Sequence, residues 1–199
     1  MTKQHINGAR RLLAAACLAA VLSPGALAVE VGGVKLDDTA LVAGKELKLN
    51  GAGVRYKAIF KVYAAGLYLP EKRSNVAEIL ALSGPRRVAM VMLRDVSSED
   101  FGLAFMTGLN NNSDKADKAK ILNQTMQFGQ MFALLPGLKK GDMLALDWLP
   151  GVGTQCQLNG KKIGEVMPDQ AFYNAVLKIW IGDKPVDNSL KPKLLGESG

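Results

Sequence analysis

Residues 49–70 read LNGAGVRYKAIFKVYAAGLYLP, and the fold turns on how they are understood. Residues 54–69 are rich in Val, Ile, Phe and Tyr, side chains that suit a pleated, half-buried surface, so a long strand region is expected, ended by Pro70. Alternation puts Tyr56, Ala58, Phe60, Val62, Ala64 and Tyr68 on one face and Arg55, Lys57, Ile59, Lys61 and Tyr63 on the other. Gly51 and Gly53 precede the arginine and are expected to let the backbone turn tightly, so that the guanidinium enters from a strand end. A guanidinium at the mouth of an apolar run is a candidate anion receptor. It stays charged and can hold a carboxylate through two parallel hydrogen bonds. On one straight strand Arg55 and Tyr63 would stand roughly 26 Å apart. They can share a ligand only if the chain folds back between them.

Working outward, residues 29–50 read as two short strands with a polar turn near Asp37 and Asp38. Residues 75–82 form a short helix with Asn75 as N-cap and Val76, Ile79 and Leu80 inward. Residues 87–96 return to strand. Ser97, Ser98, Glu99 and Asp100 open a helix whose acidic first turn suits the helix dipole, running to about Leu109. Ser113 or Asp114 caps a longer helix reaching Leu134, with Ile121, Leu122, Thr125, Met126, Phe128, Met131 and Phe132 as its apolar stripe. Residues 142–149 are a strand, and residues 154–166 a hairpin turned by Asn159 and Gly160. The last helix starts near Pro168 and ends at Gly182, leaving a polar, Pro-containing tail. The pattern is α+β, an antiparallel sheet with helices packed on one face.

The first 28 residues are set apart. Lys3, Arg10 and Arg11, the apolar run 12–22 and Ala26-Leu27-Ala28 compose an export signal, expected to be cut after Ala28. The run is too short for a membrane span, which needs about 18–20 apolar residues. Residues 29–199 then form a single domain of 171 residues (199 minus 28), periplasmic or secreted if the leader is of the bacterial type it looks like. Losing the three leader cations takes the formal net charge from +7 to +4. No basic run with interleaved aromatics remains, so no nucleic-acid partner is expected. His5, the only histidine, lies in the leader, which removes histidine chemistry and zinc sites from the mature chain. No metal and no cofactor are expected. Cys156 is the only mature cysteine and reads as a small buried residue.

Four segments in register carry a resemblance. GKELKLNGAGVR (44–55), FKVYAAGLYL (60–69), GLKKGDMLAL (137–146) and AVLKIWIGDKPVDNSLK (175–191) resemble segments of the chalcone isomerase family, over nearly all of residues 30–195. The resemblance implies an open-faced β-sandwich with a cleft between sheet and helices. Plant members cyclise chalcones with an arginine, a threonine and tyrosine that position water, and further polar groups. The family arginine falls on Arg55. The threonine falls on Tyr63, the tyrosine on Phe101, the asparagine near Gly108 or Thr107, and the Ser/Thr of the last helix on Ile179, beside Trp180. The resemblance therefore keeps the electrophile and loses the hydroxyls, which argues against cyclisation, a reaction that needs both charge stabilisation and positioned water. Fatty-acid-binding members hold a carboxylate with an arginine and a tyrosine, for which Arg55 and Tyr63 are the matching positions.

The expected function is thus non-catalytic binding of a fatty acid or similar apolar carboxylate, with Arg55, Tyr63, Phe101, Ile179 and Trp180 as candidate ligand-binding residues and no confident catalytic residue. The alternative is an isomerase, an intramolecular lyase, acting through Arg55 and a tyrosine. A third reading is a partner-binding domain whose cleft is filled. Arg55 could also be a plain structural residue paired with Asp95 or Asp147. The stripe of residues 126–132, Trp148 and Trp180 read first as core.

Overall fold

The computed structural model describes residues 28–197. The expected leader, residues 1–28, lies outside the described residues apart from Ala28, where the first strand begins. A two-stranded hairpin, β1 (Ala28–Val31) and β2 (Val34–Asp37), stands apart from the main sheet. That sheet has seven antiparallel strands in strict chain order: β3 (Thr39–Val42), β4 (Lys45–Lys57), β5 (Phe60–Leu69), β6 (Arg86–Met92), β7 (Met143–Leu149), β8 (Gly153–Leu158) and β9 (Lys161–Met167). Its edges are β3 and β9. Helices α1 (Val76–Ala81), α2 (Ser98–Asn111), α3 (Lys115–Lys120), α4 (Leu122–Ala133), α5 (Gln170–Ile181) and α6 (Leu190–Leu194) complete the fold.

The decisive stretch is a hairpin and not one strand. Lys57 pairs with Phe60, and Ala58 turns the chain at φ +53°. Ala58 lacks the freedom of glycine in that region, and no Asn-Gly or Asp-Gly pair marks the turn, so local sequence gives no punctuation here. The reversal makes Arg55 and Tyr63 direct cross-strand partners. A register shift between Arg55 and Tyr56 adds local twist just before the turn.

The N-terminal segment holds three strands before β4 where two were expected. Gly32 and Gly33, and then Ala43 and Gly44, supply the positive-φ turns. The expected twenty-residue helix is two: Asp114 caps α3 by accepting from Asp117 N, and Ile121 breaks the path before α4. Of the expected stripe, Ile121, Thr125, Phe128, Met131 and Phe132 are buried, whereas Leu122 and Met126 face solvent.

The main core lies between the sheet and helices α2, α4 and α5. Leu67, Met90, Leu144, Leu146 and Cys156 from the strands meet Phe128, Phe132, Phe172, Tyr173 and Val176 from the helices. A smaller cluster on the opposite face joins Val42, Leu47, Leu49, Tyr68 and Ala89. Burial pushes the Cys156 thiol well up, as befits an inert core cysteine. Arg86, fully buried, donates to Ile79 O at 2.9 Å at the end of α1 and lies over the Tyr173 ring.

The tail is part of the fold. Leu190 and Leu194 of α6 are completely buried, and α6 lies across β4. This explains the paired glycines differently from the expectation. Neither has positive φ. A methyl group on Gly51 would overlap Lys193 O, and one on Gly53 would come within 2.9 Å of Leu190 Cδ1. Gly51 admits the backbone at the end of α6, and Gly53 admits the Leu190 and Lys193 side chains; neither turns the strand.

Candidate functional site

Arg55 emerges from the turn end of β4 onto the helix-covered face, and Tyr63 stands beside it on β5. The guanidinium carbon sits 5.4 Å from the centroid of the Tyr63 ring. Two elements close the space above them. Helix α2, started by Ser97 accepting from Asp100 N at 3.0 Å, presents Phe101, Ala104 and Phe105. Helix α5, started by Asp169 accepting from Ala171 N, presents Ile179 and Trp180 at its far end. Between them lies a cleft of about 140 Å³ with Val62 and Val186 among its apolar walls and Lys57, Arg94, Asp95 and Asp100 at its polar side.

All five candidate residues, Arg55, Tyr63, Phe101, Ile179 and Trp180, line this one cleft. Trp180 Nε1 donates to the Tyr63 hydroxyl at 2.8 Å, so Trp180 is wall and not only core. Tyr63 is 4% exposed; burial pushes its phenol up to about 12, with the nearby Arg55 charge and the Trp180 hydrogen bond pulling the other way. Having accepted from Trp180, the hydroxyl keeps its own proton to donate. Ile179 packs against Gly108, where an added Cβ would come within 2.7 Å of Ile179 Cγ2. The position that could carry an amide is thus occupied by hydrocarbon packing.

The structural alternatives for Arg55 do not hold. Asp147 belongs to Arg87, which grips it through Nε and Nη2 at 2.6 and 2.7 Å. Asp95 belongs to Lys139 Nζ and Lys140 N. Among the described residues Arg55 makes no ion pair, and its Nε is buried with no hydrogen-bond partner. Asp187 lies nearby but is already engaged. It accepts from Tyr56 N, Ser189 and Leu190 N; burial raises its pKa, but these hydrogen bonds outweigh burial and hold it below the usual carboxylate value. Among the described residues no group of three or more His, Cys, Asp and Glu side chains is placed to hold a metal ion.

Sequence reasoning missed Phe105, Arg94 and Val186 as cleft residues. Phe105 was within reach, since it follows Phe101 by one helical turn on the same face. Val186 lay in the stretch taken for a polar tail.

The comparisons agree with this architecture. The profile of the chalcone isomerase-like family matches residues 28–196, and the chain belongs to that family. A fatty-acid binding protein of Arabidopsis thaliana has a similar fold, with a TM-score of 0.62 at 16% identity over 82% of this chain and 92% of that one. No curated protein compared with this chain matches it. No described helix is long and apolar enough to cross a membrane.

Proposed function

We propose that this chain binds a small apolar carboxylate without transforming it, the carboxylate on Arg55 and the hydrocarbon against Phe101, Phe105, Ile179 and Trp180. One observation carries the reading: the Arg55 guanidinium faces an apolar-walled cleft with no anionic partner of its own. Arg55 is half-buried and its Nε is out of water without a partner, so a ligand carboxylate would supply both a counter-charge and the missing acceptor oxygens. The Tyr63 hydroxyl, oriented by Trp180, is a second donor beside it. That the Arabidopsis protein of similar fold is a fatty-acid binding protein supports this ligand class. The cleft is about the size of the engineered cavity of roughly 150 Å³ that holds benzene, so the part of the chain it encloses is on the order of six carbons.

The isomerase reading has less support. A tyrosine pushed to about 12 is a poor acid or base near neutral pH, and Phe101, Gly108 and Ile179 stand where the resemblance places polar groups of plant chalcone isomerases. We place the protein outside the cytoplasm, with a mature chain starting near Val29, on the strength of the leader pattern alone.

The test is calorimetric titration with octanoate and with its methyl ester. Arg55→Ala should weaken octanoate by about 2 kcal/mol, on the order of thirty-fold. Arg55→Lys should recover part of this, because a single ammonium cannot reproduce the two-pronged grip. The ester should be indifferent to both changes. Equal affinity of all three proteins for octanoate would refute the proposal.

A further inference from the structure

The turn end of the β4–β5 hairpin runs past the last β5–β6 pair, Tyr63 with Met92, and carries two adjacent exposed apolar side chains between cations. Ile59 is 84% exposed and Phe60 is 55% exposed, at the apex of the turn. Lys57 and Lys61 flank them in sequence, and Arg94 lies over the Phe60 ring at 5.3 Å. None of these three cations makes an ion pair among the described residues. No acidic residue lies within residues 56–61. Leu41 is more exposed than Phe60, but it pairs across β3–β4 with Glu46, so exposure alone does not single out the hairpin.

We propose that this hairpin is a docking finger for an anionic lipid surface. Ile59 and Phe60 enter the boundary between headgroups and acyl chains, while Lys57, Lys61 and Arg94 meet the phosphates. A bilayer interface selects for this combination: exposed apolar side chains for burial, ringed by long cationic side chains whose charges stay at headgroup level. A protein partner is the poorer match, since the buried centres of protein interfaces are depleted in lysine. Lys57 and Arg94 also line the cleft, so docking by the finger brings the cleft mouth to the lipid surface. The inference stands without any assumption about what the cleft binds.

The experiment is vesicle co-sedimentation of the chain from Ala28 onward, which carries the whole described fold and the full family match. Phosphatidylcholine vesicles are compared with mixed phosphatidylcholine–phosphatidylglycerol vesicles, at low and high salt. Wild type should partition onto the anionic vesicles, less so as salt rises, and onto neutral ones weakly. Ile59→Ser with Phe60→Ser should lower partitioning by about tenfold or more. Lys57→Glu with Lys61→Glu should lower it and remove the salt dependence, and Leu41→Ser should change nothing. These positions are exposed, so matching thermal melts confirm that the variants fold. Wild type failing to bind anionic vesicles, or binding undiminished in the Ile59 and Phe60 variant, would overturn the proposal. So would wild-type self-association that the same variant dissolves while vesicle binding is absent, because the finger would then be a protein contact.

Discussion

Gly51→Ala places one methyl group where the backbone of α6 already lies. The new Cβ overlaps Lys193 O and would sit 2.9 Å from both Leu194 O and Gly196 N, all main-chain atoms with no rotamer to yield. Two relaxations are open. If α6 stays seated, β4 and α6 part by strain, at about 1–3 kcal/mol, the usual cost of overpacking. If α6 lifts away, Leu190 and Leu194, both completely buried, lose their cover; at about 1.5–3 kcal/mol each the loss is about 3–6 kcal/mol. The hydrogen bond from Asn50 Nδ2 to Leu194 O, 2.8 Å long, adds about 1 kcal/mol. The expected destabilisation is therefore at least about 1 kcal/mol, read from urea unfolding followed by far-ultraviolet circular dichroism. Limited proteolysis separates the two relaxations, since a lifted α6 exposes the segment after α5 to cleavage. Detachment would also reach the cleft, because Val186 and Asp187 stand just before α6 and Asp187 holds Tyr56 N at 2.8 Å. Gly102→Ala is the control: it lies within α2 with nothing within 4 Å of the added carbon, so up to about 1 kcal/mol of stabilisation is expected. A Gly51→Ala protein within about 0.5 kcal/mol of wild type, with a protease-resistant tail, would refute the close-approach account.

Asp147→Ala strands Arg87, which is mostly buried, and should cost about 3–5 kcal/mol in denaturant unfolding. Tyr63 and Tyr68 are both pushed up to about 12, against roughly 10 for an unfolded tyrosine. The unfolded chain therefore loses these protons first, and stability should fall as pH rises from about 10 towards 12; ultraviolet difference absorbance would show both phenols still protonated in the folded protein at the lower end of that window. Ala58→Gly relieves a left-handed alanine at φ +53°, and after the entropic cost of glycine should raise stability by about 0.5–1 kcal/mol, measured by thermal unfolding.

Sequence patterning carried furthest where local chemistry and tertiary structure agree. Asn159 and Gly160 adopt the positive φ values, 52° and 76°, that their residue types announce. Asn75 caps α1 through its side chain as expected, and α2 opens at the expected stretch, where Ser97 proves to be the cap. The failures share a cause. At Ala58 the turn is imposed by pairing of β4 with β5 and not by turn residues, so periodicity ran straight through it. In the tail, Leu190 and Leu194 are spaced one helical turn apart, but a five-residue helix gives too short a pattern to outweigh its Pro, Lys and Asp neighbours. The cleft was legible because Arg55, Tyr63 and Ile179 sit in segments that resemble the family's. Its rim was not, since Arg94 and Val186 reach it only through the tertiary path of the chain.

The seven-stranded sheet does not close on itself: β3 and β9 are not paired with each other, and so it keeps two borders of unpaired peptide groups. Such borders template association with other strands. Here both are blunted. The β3 border is only four residues long. The β9 border carries Lys161, Lys162 and Glu165 exposed, is bent at Gly164 by a φ of +62°, and has the Met131 side chain of α4 lying against that glycine. A neighbouring molecule would meet charge, curvature and a covering side chain in place of a flat ladder. The protein can therefore leave its sheet open enough to hold a cleft and still resist stacking into fibrous assemblies at high concentration.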